Sequence, residues 1–132
     1  MKNLEQIRAA HALRFWKPER GDPPSARGVN EGDVISKLPS LVISNGLLAT
    51  MAFAKSKGPE SGHFELMREV CRFLCSDERR VLPAASERRN GDDDLDPYIR
   101  LLTKTTDANS ARLQRVITET LVYFGYLKRF VF

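Results

Sequence analysis

A chain of 132 residues that is 42% apolar and 29% charged has the balance of one globular domain, too apolar to stay disordered and long enough to bury a core without disulfides or metal. Its net charge of +4, mostly from arginine, permits RNA, DNA or acidic-protein partners and demands none. No stretch approaches the roughly 20 apolar residues of a membrane span, and Met1 to Ala10 carries Lys2, Glu5 and Arg8 without a long apolar run. A cytoplasmic protein with Cys71 and Cys75 as reduced thiols is therefore expected.

Asn3-Leu4-Glu5-Gln6 reads as a capping box opening a first helix, with Leu4, Ile7, Ala10, His11 and Phe15 at helical spacing. Pro18 should stop it by Trp16 or Lys17. Residues 17–30 contain Pro18, Gly21, Pro23, Pro24 and Gly28 and read as a long irregular loop exposing Arg20 and Arg27.

The segment from Asn30 to Asp33 can cap a helix beginning at Val34 and Ile35. Pro39 cannot donate to the Ile35 carbonyl, so a break or kink is predicted there. A helix should then run from Pro39 to about Lys57, ended by Gly58-Pro59. Leu41, Val42, Ile43, Leu47, Leu48, Met51, Ala52 and Phe53 cover most of its circumference, which predicts a central helix buried on several sides. Asn45-Gly46 in its middle suggests tight internal helix packing, with Asn45 needing hydrogen-bond partners if buried.

Ser61 can cap a third helix reaching Ser76 or slightly beyond. Phe64, Met67, Val70, Cys71 and Leu74 form its inner stripe, with Arg68, Arg72 and Arg79 nearer the outer face. A polar connector over 80–95 follows, containing Asp92, Asp93 and Asp94. Asp96 should cap a short helix carrying Tyr98, Ile99, Leu101 and Leu102. Thr106 or Asp107 should cap a last helix with Leu113, Val116, Ile117, Thr120, Leu121, Phe124 and Leu127 on one side. No alternating run argues for strands, so the predicted fold is all-α, a compact bundle of five to six helices forming a single domain over 1–132.

Chemistry-bearing patterns are sparse. Cys71 and Cys75 share a helix face but lack a second ligand pair for zinc, and read as small buried apolar residues. His11 and His63 stand in no nuclease-like doublet. Asp92 to Asp94 lack the spacing of a calcium loop. No phosphate-cradling glycine motif and no nucleophile elbow is present. The expectation is a binding protein with no catalytic residue, cofactor or metal.

Leu38-Pro39, Asn45-Gly46-Leu47, Ala52-Phe53 and Lys55 or Lys57 together resemble a signature of the small subunit of type III-B CRISPR effector complexes, the Cmr module. The tail Tyr126-Leu127-Lys128-Arg129-Phe130 resembles that family's ending, although tryptophan is common where Tyr126 stands. The loop at 17–30 is a second departure. The resemblance implies an all-α, non-catalytic subunit in antiviral defence. Its copies would stack head to tail as an inner filament beside the guide-holding backbone. They would touch other subunits and help accommodate target RNA.

A sequence-independent grip on guide or target RNA needs cations on helix faces, since base pairing supplies specificity. The candidates are Lys37, Lys55, Lys57, Arg68, Arg72, Arg112, Arg115, Lys128 and Arg129. The competing reading is a helix-turn-helix DNA-binding regulator, with the arginine-bearing third helix as recognition helix, although the connector with Gly58, Pro59 and Gly62 reads as longer than the usual turn.

Overall fold

Asn3 opens the first helix, accepting from the Gln6 N–H at 2.8 Å while the Gln6 side chain accepts from the Asn3 N–H at 3.0 Å. The computed structural model describes residues 3–21, 31–79, 81–82, 88–103 and 110–130, with backbone alone at 31–33 and 110–112. Within these the elements are α1 (Leu4–Trp16), α2 (Glu31–Asn45), α3 (Leu47–Lys57), α4 (Gly62–Leu74), α5 (Asp96–Thr103) and α6 (Ser110–Arg129), with no strand among the described residues. The all-α bundle is as the pattern predicts. The caps expected at Thr106 or Asp107, and Arg27 in the first loop, lie outside the described residues.

The break falls elsewhere than at Pro39. α2 runs through Pro39 without interruption. Ile35, Leu38 and Val42 form one buried stripe on it. Burying each is worth roughly 1.5–3 kcal/mol, enough to outweigh the ~3 kcal/mol that an interior proline costs. The chain turns instead at Gly46, whose φ of +92° and ψ of 162° are accessible to glycine and strained for other residues. The Gly46 N–H closes α2 on the Val42 carbonyl at 3.0 Å. Its own carbonyl starts α3, accepting from the Thr50 N–H at 3.1 Å and the Thr50 hydroxyl at 2.8 Å.

Two expectations fall with that long helix. Asn45 is exposed, and a Cβ at Gly46 would meet nothing within 4 Å, so the pair makes a corner and not a close helix crossing. The apolar surface is also not all inside: Ile43 is 72% exposed, Phe53 40% and Leu48 39%. Splitting the helix rotates these side chains away from the core.

α4 is central, packing against α2, α3 and α6, while α1 lies along α6 and α5 leans on α3. Ser61 caps α4 by accepting from the Phe64 N–H, and Phe64, Met67, Val70, Cys71 and Leu74 are buried as the stripe predicts. Trp16 is fully buried and donates its indole N–H to the Leu127 carbonyl at 2.8 Å, tying the end of α1 to the end of α6. The connector after α4 is partly apolar: Leu82 and Leu95 are buried, and the Leu82 N–H bonds the Leu74 carbonyl at 3.0 Å.

Candidate nucleic-acid interface

Whether a basic side chain is available to a ligand depends on whether a carboxylate already holds it. Three ion-pair clusters decide this for most of the cations near the core.

The first crosses the core. Glu69, 6% exposed, accepts both from Arg72 (Nε and Nη2, 2.7 Å each) and from the Tyr123 hydroxyl at 2.6 Å. Arg72 Nη2 also lies 3.0 Å from His11 Nδ1. A guanidinium only donates, so Nδ1 accepts and Nε2–H donates to Glu78 at 3.0 Å. Desolvation, then the Arg72 charge, hold the His11 pKa below its ordinary value, consistent with that neutral form.

The second cluster centres on Glu119, 3% exposed, which accepts from Arg8 Nε and Nη2 at 2.7 Å each and from Arg79 Nη2 at 2.6 Å. Burial pushes its pKa up, and the hydrogen bonds and charges of the two arginines outweigh that push, so the net displacement is downward. Arg79, expected nearer the outer face, is thereby drawn partly inside.

The third explains the aspartate run. Asp92 is held by both outer nitrogens of Arg100, Asp93 by Lys55 at 3.0 Å, and Asp94 by Arg68 at 2.9 Å and Arg88 at 2.8 Å. The Asp92 carboxyl is held well below the usual carboxylate range by Arg100 and by the Arg89 backbone N–H. Asp93 also accepts from the Asp96 N–H while Asp96 accepts from the Asp93 N–H, both at 3.0 Å. The cap expected of Asp96 alone is thus a reciprocal pair. The three carboxylates diverge onto different cations, pinning the connector to α3, α4 and α5. Among the described residues no cluster of three or more His, Cys, Asp or Glu could hold a metal ion.

The nine nominated cations divide accordingly. Lys55, Arg68 and Arg72 are already paired with Asp93 and Asp96, Asp94, and Glu69. Lys37, Lys57, Arg115, Lys128 and Arg129 are exposed and take part in none of these pairs. The Arg112 side chain lies outside the described residues. Arg68 and Arg72 share a cavity of about 570 Å³ with Glu69, Asp94, Phe15 and Tyr98. Lys37 and Lys57 share another of about 610 Å³ between α2 and α3, closed at one side by His63 at the start of α4. Sequence reasoning missed the carboxylates Glu69 and Glu119. The available signal was an acid on a core-facing stripe, Glu119 beside Val116, Thr120 and Tyr123.

Cys71 is buried and Cys75 half-buried, both free thiols, and burial raises the Cys75 pKa to about 11. α4 is unsuited to entering a DNA groove, because eight of its side chains, from Phe64 to Leu74, are buried. No helix among the described residues is long and apolar enough to cross a membrane.

A family model described as CRISPR-associated protein (Cas_Cmr5) matches residues 4–132. No curated protein and no solved structure matches the chain. With nearly the whole chain covered by that model, and an all-α bundle as its fold, the chain belongs to the Cas_Cmr5 family, the small subunit of the type III-B Cmr complex.

Proposed function

We propose that this protein is a non-catalytic, cytoplasmic subunit of a type III-B effector, stacking with further copies of itself as an inner filament and lending exposed cations to the backbone of guide or target RNA. The family match over residues 4–132 carries the reading. The division of the cations supports it. Lys55, Arg68 and Arg72 staple the bundle, whereas Lys37, Lys57, Arg115, Lys128 and Arg129 are held by none of the three clusters and are the proposed phosphate contacts. Contacts of this kind position an RNA without reading its sequence and weaken as salt rises.

The catalytic chemistry of the complex then belongs to other subunits. The histidine and the buried carboxylates of the clusters have roles in packing, His11, Glu69 and Glu119 being buried and hydrogen-bonded to their neighbours, and the Cys71 thiol lies in the core.

The test is capture of target RNA by the assembled complex carrying Lys128→Glu and Arg129→Glu. Capture should weaken at low salt while the bundle stays folded. The Gln pair controls for the favourable position of positive charge at the end of α6, worth about 0.3–1 kcal/mol. Unchanged capture at low salt would remove these two residues from the RNA path. Turnover by the lone polypeptide, abolished by one point change in its interior, would end the non-catalytic reading.

A further inference from the structure

The groove between α2 and α3 differs in charge from two other concave basic regions among the described residues. The cavity holding Arg68 and Arg72 also holds Glu69 and Asp94, and the one holding Arg8, Arg79 and Arg115 also holds Glu119. Among the described residues, the α2–α3 groove is lined by Lys37 and Lys57 and by no carboxylate. Neither lysine belongs to the ion pairs described above. Ser36, Ser40 and Ser44, four residues apart, run along the wall that α2 contributes, so their hydroxyls lie on one stripe.

The opposite wall carries an aromatic ring at the surface. Phe53 is 40% exposed, although its chemistry favours the core. The His63 ring meets it edge-on, with centroids 5.4 Å apart and planes at 89°. The Lys57 ammonium stands 5.1 Å from the Phe53 centroid. The ring is therefore braced by a neighbour, and a base stacking on it need not order it first. A lysine stem is flexible enough to carry the ammonium from the ring to a nearby phosphate.

We propose that this groove holds an unpaired nucleotide of an RNA strand, its base stacked on Phe53, its phosphates on Lys37 and Lys57, and its sugar or phosphate oxygens hydrogen-bonded by the serines. The proposal rests on the RNA-contacting reading above and adds a single-stranded specificity to it. Cations along the backbone combined with an aromatic platform are what sequence-tolerant binding of single strands requires. A base inside a duplex cannot reach the ring, because it is stacked and paired. The volume of about 610 Å³ falls in the range of ligand sites, roughly 300–1,000 Å³. An acidic peptide would satisfy the lysines and leave Phe53 without a stacking partner.

The experiment is fluorescence anisotropy of the full chain across a salt series. Its probes are a single-stranded oligouridylate, an abasic ribose-phosphate oligomer of the same length, a duplex RNA and an oligoglutamate. The oligouridylate should bind most tightly. Phe53→Ala, and Phe53→Leu as the variant that keeps apolar bulk, should weaken it roughly 5- to 100-fold, leave the salt slope unchanged and leave the abasic oligomer unaffected. Lys37→Gln with Lys57→Gln should weaken both oligomers and flatten the log–log salt slope by about 1.4, or ~0.7 per phosphate. Thermal unfolding checks that each variant is folded. Equal losses for the oligouridylate and the abasic oligomer in Phe53→Leu, or duplex or oligoglutamate binding as tightly as the single strand, would overturn the proposal. If Lys128→Glu with Arg129→Glu weakens RNA binding and the groove variants do not, the groove assignment fails and the RNA reading stands. If neither the chain nor the assembled complex contacts RNA through any of these residues, both fail.

Discussion

Tyr123 donates its hydroxyl proton to Glu69 at 2.6 Å, joining α6 to α4 inside the core. Its ring is stacked on Phe73, with centroids 4.0 Å apart and planes at 11°. One side chain thus combines apolar packing with the last hydrogen bond that a buried carboxylate needs, Arg72 supplying the others. Burial first, then the Glu69 charge, pushes the phenol far above its usual range, so it remains a donor at neutral pH.

Replacing Tyr123 with Phe keeps the stack and removes the donor. Leaving a buried acceptor short of a partner costs about 1–3 kcal/mol. Urea unfolding should show that loss with an unchanged m-value. A variant as stable as the parent would mean that Glu69 is satisfied without Tyr123.

His11 makes stability pH-dependent with a defined sign. Its pKa is lowered in the folded state by desolvation and by the Arg72 charge, opposed by Glu78 and assisted by Arg14. The unfolded chain therefore binds the proton more readily. The stabilising contribution is complete above the ordinary value of about 6.5 and declines as pH falls from there toward the folded-state value. Urea midpoints at mildly acidic and mildly basic pH should differ more for the parent than for His11→Gln. Equal differences would show that other groups carry the dependence.

Glu119 should matter more than any exposed acid. Glu119→Gln leaves the partly exposed Arg8 and Arg79 facing a neutral amide, and loss of the charge-assisted hydrogen bonds should cost roughly 1.5–3 kcal/mol. The folded pKa of Glu119 is lowered, so its contribution is present above the ordinary carboxylate value and is lost as pH falls through the folded value. The variant should be less stable at neutral pH and less sensitive to acid. A parent-like denaturation midpoint at neutral pH would contradict this.

Gly46→Ala tests the corner between α2 and α3. Beyond its chain neighbours, a methyl group there meets no described atom within 4 Å, so the cost comes from the backbone. Holding a residue with a side chain at φ +92° should cost about 1–3 kcal/mol. Calorimetry should show a lowered melting temperature. An unchanged one would mean that the corner relaxes into a conformation open to alanine.

Local chemistry made much of the helical framework legible. The Asn3–Gln6 box, the Ser61 cap, the Pro18 stop and the stripe from Phe64 to Leu74 depend on contacts within a few residues, and such contacts are written in the order of the chain. The course of the chain between Glu31 and Lys57 was not legible in the same way. Pro39 is a strong local breaker, yet Ile35, Leu38 and Val42 are buried together only because α3, α4 and α6 lie against α2. In sequence Gly46 reads as a packing residue, and its positive φ makes it a corner.

By itself the sequence determined the helical class, the Asn3 and Ser61 caps, the α4 core stripe and the motifs pointing to the family, because spacing and neighbour chemistry suffice for these. Only the tertiary structure decided which cations are engaged. Arg8 reaches Glu119 from 111 residues away, Lys55 reaches Asp96 from 41, and Lys37 and Lys57 line one groove that has no carboxylate among its described residues. The availability of a charge depends on its neighbours in space, and helix packing sets those neighbours after local periodicity has done its work.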